Sequence, residues 1–249
     1  MLKAFDDGRL FGATFGSGRP WVLALHGWRR TQRDWVDVLD GLDAIALDLP
    51  GFGATPLPPE PWGSPEYAKA IGPVLEQEFA GPVVVIGHSF GGRVAAHLAA
   101  TQPGQVAALV LTGVPNLVAL PDAASKRPPL TYRAARALNR RGILPDRQMD
   151  RLRKRRGSAD YLAATGILRD VLVTVTNEVY EQALRESHCP VELVWGDDDD
   201  QAPVAQAEAA AALLGPRSNL VLVPAAGHMT PITAPAALRD AIERHRPAA

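Results

Sequence analysis

Cysteine is almost missing from this chain: Cys189 is the single one in 249 residues, which excludes an internal disulfide and any multi-cysteine metal site. It precedes Pro190 at the mouth of an apolar run and reads as a small packing residue. Long hydrophobic runs are missing too, since no stretch reaches the roughly 18 uninterrupted apolar residues that a transmembrane helix needs. The opening MLKAFDDGRLFGATFG has acids and glycines where a signal peptide would need a continuous apolar run, so we expect a cytoplasmic protein with no membrane partner. Charge of one sign is also wanting. A formal net charge of -1 gives the molecule no overall field toward nucleic acid or an anionic membrane, and any charge preference must be local.

What is present is an ordinary globular composition, 47% hydrophobic and 21% charged, enough for a normal buried core. The length suits one core carrying one insertion. Short apolar runs bounded by glycine and proline recur at 21–25 (WVLAL), 44–47 (AIAL), 83–86 (VVVI), 107–111 (AALVL), 191–195 (VELVW) and 220–223 (LVLV). Near-continuous runs of this length predict strands buried on both faces. Helix-like stretches at 65–80, 90–101 and 203–214 alternate with them, which predicts an α/β fold with a mostly parallel sheet flanked by helices. Two short runs at 2–5 and 9–15, joined by Asp6, Asp7 and Gly8, fit a leading hairpin and bring the expected total to eight strands.

The alternation breaks between residues 115 and 187, where proline-rich segments flank arginine-rich helical stretches. We therefore expect a core of 1–114 and 188–249 and a helical insertion, 115–187, after strand 6. That position lies above the C-terminal ends of the strands, where ligands bind in such sheets, so the insertion is expected to act as a lid or cap.

Residues 83–92 read VVVIGHSFGG, a G-x-S-x-G between a strand and the alanine-rich helix RVAAHLAA. A sharp turn there would hold Ser89 strained and exposed, and glycine at Gly87 and Gly91 would let the flanking backbones pass closely. A serine hydroxyl is a poor nucleophile at neutral pH, so it needs an imidazole base, and the base needs an acid to fix its tautomer. Of six histidines, His228 in VPAAGHMTP directly follows the last strand, on a loop from which a base can reach the turn. His88 would point away from Ser89; His97, His188 and His245 read as structural or solvated. His26, in LALHGW, is followed by a glycine and suggests another role. Two backbone N–H groups must meet the developing oxyanion: Phe90, after the nucleophile, supplies one, and Trp28 the other by position. Gly27 would let that loop turn inward, with His26 bracing it. The acid should fall between Ser89 and His228 in chain order, and VELVWGDDDDQAP offers four consecutive aspartates after a strand.

With these residues in place, the chain resembles the α/β-hydrolase superfamily: LHGW, DLPGFGAT, GHSFGG, WGDDDDQAP and AAGH stand in that family's order and cover nearly everything but the insertion. The family's acid follows its strand as G-x-x-D with a proline four residues later. Gly196, Asp199 and Pro203 match, so the resemblance implies Asp199, with Asp198 and Asp200 as alternatives if the run shifts register. The family's other acid position, after the run ending at Leu111, reads TGVPN and offers no carboxylate. Thr233 and Ala234 stand where the family often has an acid before the proline, here Pro235. Ser89 argues against the dehalogenase and epoxide-hydrolase branches, whose nucleophile is an aspartate.

Between Lys126 and Arg156 the chain holds twelve Lys or Arg against two acids, Asp146 and Asp150. The first reading is a solvated helix face; the second is an anion-steering rim for a substrate carrying phosphate or carboxylate. The expected activity is cleavage of a carboxylic ester or thioester of a small molecule through an acyl-enzyme on Ser89, with no metal and no organic cofactor. The alternatives are a C–C bond hydrolase or lyase using the same three residues, and a hydrolase-like protein that only binds its ligand.

Overall fold

The computed structural model describes residues 2–120, 130–154 and 159–247. Eight strands form one sheet: β1 (Leu2–Phe5), β2 (Leu10–Phe15), β3 (Val22–Leu25), β4 (Ala44–Asp48), β5 (Val83–His88), β6 (Val106–Thr112), β7 (Val191–Gly196) and β8 (Ser218–Val223). Their spatial order is β1-β2-β4-β3-β5-β6-β7-β8. β2 runs antiparallel to both neighbours and the remaining pairs are parallel, so the sheet is mixed, with a parallel body. Each of the eight expected runs is a strand. The leading hairpin turns through Asp6, Asp7 and Gly8, all with positive φ.

The described helices are α1 (Val36–Leu39), α2 (Ser64–Glu78), α3 (Phe90–Thr101), α4 (Leu130–Arg140), α5 (Asp146–Lys154), α6 (Ala159–Ala163), α7 (Gly166–Thr176), α8 (Glu181–Glu186), α9 (Val204–Leu214), α10 (Thr230–Thr233) and α11 (Pro235–Glu243). Alternation along the strands sends side chains to two cores. Leu23, Leu25, Ile45, Leu47, Val83 and Val85 face the α2 and α3 side, while Val22, Ala24, Ala44, Ala46, Val84 and Ile86 face Trp35, Leu238 and Ile242. β3 to β7 are buried throughout apart from Ala107, as their unbroken apolar runs predict. β8 is the exception. Its run, LVLV, looks like that of a central strand, yet it closes the sheet edge and leaves Leu222 44% exposed.

An acid inside β7 holds the C-terminal helix in place. Glu192 is buried and accepts from Arg244 (Nη2, 2.6 Å), from the His245 Nε2 side (2.9 Å) and from Asn219 (2.7 Å). Burial alone would raise its pKa, but the hydrogen bonds from Arg244, Asn219 and His245 outweigh it and hold the carboxyl below its ordinary value. A carboxyl depressed by folding contributes stability that is full above the unfolded pKa, about 4.3, and is lost as pH falls through the folded value. Glu192→Gln is therefore expected to cost about 2 kcal/mol at neutral pH. Thermal unfolding should show the gap between wild type and variant closing as pH drops below about 4; a gap independent of pH would refute the assignment.

Between β6 and β7 the described residues form five helices, α4 to α8, and no strand. Of the basic stretch 126–156, residues 126–129 and 155–156 lie outside the described residues. The return end of this segment is fastened to the core. Glu178 accepts from the Ser64 amide at 3.2 Å, at the start of α2, where helix N–H groups lack partners and the helix dipole favours an anion. Tyr180 Oη lies 2.8 Å from Glu178 Oε2 and 3.4 Å from Ser64 Oγ, and the buried Arg93 of α3 donates to Val175 O at 2.8 Å.

Candidate active site

Four loops at the C-terminal ends of β3, β5, β7 and β8 converge. Ser89 sits between the end of β5 and the start of α3 with φ 50° and ψ −112°, a region that costs a non-glycine residue on the order of 1–3 kcal/mol. The turn is locked by Ser89 N–H donating to Thr112 O at 2.9 Å. It is tight enough that a Cβ on Gly87 would stand 2.5 Å from Gly92 Cα, and one on Gly91 would collide with Leu25 O. Strain recurs on the neighbouring loops, since Arg29 and Ala225 also have positive φ.

The structure brings together Ser89, His228 and Asp199. His228 Nε2 is 3.1 Å from Ser89 Oγ, and His228 Nδ1 is 2.9 and 3.0 Å from the two Asp199 carboxylate oxygens. Asp199 Oδ1 also accepts from the Gln201 and Ala202 amides at 2.9 and 2.8 Å. Its side chain is 0% exposed and that of His228 9%, so the carboxylate is sealed while the imidazole keeps a face open. Burial would lift the Asp199 carboxyl, but the hydrogen bonds from His228 and Ala202 prevail and hold it below its ordinary value. A hydroxyl bonded to an imidazole whose far nitrogen is gripped by a carboxylate is a group that can be deprotonated as it attacks. Asp198, whose amide donates to Ala226 O at 3.0 Å, and Asp200 are by contrast exposed.

The β3 loop stands against this row. Gly27 faces Ser89 so closely that a Cβ there would lie 3.5 Å from Ser89 Cβ. His26 is fully buried, with Nδ1 2.7 Å from Gly27 O and Nε2 accepting from the Leu49 amide at 2.9 Å. These bonds fix its tautomer and brace the loop, and burial pushes its pKa down. Trp28 and Phe90 meet edge to face at 5.4 Å, with Phe52 packed against Trp28 at 4.9 Å and Tyr67 against Phe90 at 5.0 Å. Each such pair adds on the order of 1 kcal/mol beyond burial.

Four neighbours have partners that the sequence reading did not foresee. His88 does turn away from Ser89, but onto the other side of the site: its Nε2–H donates to His228 O at 2.8 Å, and its ring lies 4.8 Å from the His228 ring. Burial drives its pKa down to about 3, so it is neutral. Thr112 and Thr230 share a buried hydroxyl–hydroxyl bond of 2.5 Å beneath the site. Asp48 of DLPGFGAT accepts from the Gln32 and Ala54 amides at 2.8 and 2.9 Å and shapes the loop that carries Phe52. The sequence signals were present, as His88 adjoins Ser89 and Asp48 opens a Pro-Gly turn, but neither flank has a periodicity that names its partner.

A cavity of about 280 Å³ opens beside Trp28. A separate groove of about 760 Å³, lined by Arg9, Leu57, Trp62, Glu66 and Lys69 among others, is lined by none of Ser89, His228 or Trp28. Among the described residues no group of three or more His, Cys, Asp or Glu is placed to hold a metal ion, and no helix is long and apolar enough to cross a membrane.

Known proteins resemble this chain in parts and as a whole. It is 45% identical over 98 residues to lipase LipV of Mycobacterium tuberculosis, a match covering 38% of this chain and 37% of that one. It is 34% identical over 116 residues to an esterase of the same organism, covering 45% and 39%. The matches thus span about two fifths of the length of these curated relatives. A solved thermophilic esterase superimposes with a TM-score of 0.69 at 23% identity, covering 98% of this chain and 95% of its own, which is a likeness of fold. The model of the alpha/beta hydrolase family matches residues 22–241, and the chain belongs to that family.

Proposed function

We propose that this chain is a serine hydrolase that cleaves a carboxylic ester or thioester of a small molecule through an acyl-enzyme on Ser89. The observation that carries the reading is the unbroken row from Ser89 Oγ through His228 to a buried Asp199. The similarity to proteins named lipase and esterase agrees with it.

Ser89 Oγ attacks the carbonyl carbon while its proton passes to His228 Nε2. Asp199 stabilises the imidazolium that results and keeps Nδ1–H pointed at itself. Negative charge gathers on the carbonyl oxygen, where the Trp28 and Phe90 amides donate; Phe90 opens α3, so its N–H has no intrahelical acceptor. The tetrahedral species collapses, the C–O or C–S bond breaks, and the leaving group takes the proton from His228. Water then enters and attacks the acyl-enzyme carbonyl as it gives a proton to His228, and His228 returns that proton to Ser89 Oγ as the bond to the acyl group breaks and the acid leaves. Every step uses groups of the chain alone. Residues 115–187 serve as the cap, a reading supported by the placement of α6 and α7 beside the Trp28 loop.

The test combines a small fluorophosphonate probe with hydrolysis of p-nitrophenyl acetate and butyrate. The expected result is one adduct by intact mass, mapped to Ser89, together with ester turnover. An adduct without turnover of any ester would favour the C–C bond hydrolase. Folded protein giving neither would overturn the proposal in favour of a binding protein.

A further inference from the structure

We infer, resting on the proposed function, that Thr112 and Thr230 are positioning residues: their hydroxyl pair ties the loop that carries His228 to the strand end that holds Ser89, and so sets the distance over which the proton passes.

Thr112 ends β6 and stands beside His88, the last residue of β5, as its partner in the parallel register. Its carbonyl takes the Ser89 N–H at 2.9 Å. Its hydroxyl meets that of Thr230 at 2.5 Å, and Thr230 opens α10 two residues after His228. Both threonines are 0% exposed, and neither hydroxyl has another partner among the described residues. The bonds form a closed circuit. It runs from Ser89 N–H to Thr112 O, from Thr112 Oγ1 to Thr230 Oγ1, back along the chain to His228, and from Nε2 to Ser89 Oγ at 3.1 Å. The bond from His88 to His228 O holds the same loop one step earlier, so the two ties grip it before and after Met229.

Packing alone would be served by another apolar residue, as in the rest of β6, VAALVL. A hydroxyl buried there carries a desolvation cost that only a partner offsets. In return it fixes a direction and a length, which apolar contact does not. That precision bears on rate, because a displacement of about 1 Å between reacting groups can cost about 10²-fold.

The experiment measures kcat and KM for p-nitrophenyl butyrate, and the rate at which the fluorophosphonate labels Ser89, in wild type, Thr112→Ala, Thr230→Ala, the variant carrying both, Thr112→Ser and Thr230→Ser. Each single Ala variant is expected to lose about tenfold in kcat and in labelling rate, with KM within about twofold. The double variant should lose no more than either single one, because the same bond is removed in all three. The Ser variants give up a methyl group but keep the hydroxyl, so their Tm should fall by about 3 °C while kcat stays within about twofold of wild type. Rate would then follow the hydroxyl and not the stability. Thr112→Val is a second variant without the hydroxyl that keeps a branched side chain suited to a strand, and its loss should match that of Thr112→Ala; circular dichroism establishes folding in each. Equal losses in the Ser and Ala variants would overturn the inference by assigning the effect to packing. So would an unchanged kcat in folded Ala variants, or losses that add in the double variant. In all of these cases wild type would still label at Ser89 and the serine hydrolase would stand. A wild type that neither labels nor turns over ester would remove the proposed function and this inference together.

Discussion

Alanine in place of Ser89 is expected to lower kcat for a p-nitrophenyl ester by about 10⁶-fold, and His228→Ala by a similar factor. The double variant should be no worse than either single one. The reason is geometric: Ser89 Oγ and His228 Nε2 share one hydrogen bond, 3.1 Å long, and in the proposed mechanism one proton moves along it. Remove either end and the other has nothing to do. What survives should be the residual advantage over water of about 10³-fold supplied by the Trp28 and Phe90 amides and by substrate binding. Steady-state kinetics, with circular dichroism to establish folding, decides the matter. A loss below about tenfold in folded Ser89→Ala would mean that another group attacks the substrate. Additive losses in the double variant would mean that the two residues act separately.

The second large effect belongs to Asp199→Asn, expected to cost about 10⁴-fold in kcat with little change in fold. Asp199 Oδ1 takes the Gln201 and Ala202 amides as well as facing His228. An asparagine would keep its oxygen on those two amides and present its NH₂ to His228 Nδ1. That nitrogen would then have to accept, which places the imidazole proton on Nε2, facing Ser89, where a base is needed. The neighbouring substitutions Asp198→Asn and Asp200→Asn should change kcat by less than about threefold, as expected of surface changes worth about 0.5 kcal/mol. If one of these neighbours gave the large loss and Asp199→Asn did not, the acid would be misassigned.

Local chemistry explains what the sequence made readable. The strands announce themselves because a strand buried on both faces must be apolar along its whole length, as VVVIGH and VELVWG are. Ser89 is legible because only a glycine-flanked turn lets backbones approach as Gly87 and Gly91 do. Asp199 is half legible: the run of four aspartates restricts the choice to four neighbours, and family spacing selects one. Contacts between distant segments stay hidden. Nothing within a few residues of Glu178 says that it will meet Ser64, 114 positions earlier, and nothing near His88 points to the carbonyl of His228. Glu192 sits in a strand whose other residues are apolar, and its partners arrive from β8 and from Arg244 and His245, just past the end of α11. The mixed order β2-β4-β3-β5 is likewise set by pairing across the sheet.

The position of His88 links two residues that a reader of the chain would treat as independent. Its Nδ1 is buried without a hydrogen-bond partner, facing Gly27 so closely that a Cβ there would stand 2.7 Å away. Its other nitrogen holds the backbone of His228. Any side chain at position 27 must therefore displace the His88 ring, and a displaced ring releases the His228 loop. A smaller residue at position 88 would make room at position 27 but give up the tether. Neither site is free to vary while the other is kept, so adaptive change here has to proceed through paired substitutions, and a single step from this sequence loosens the His228 loop.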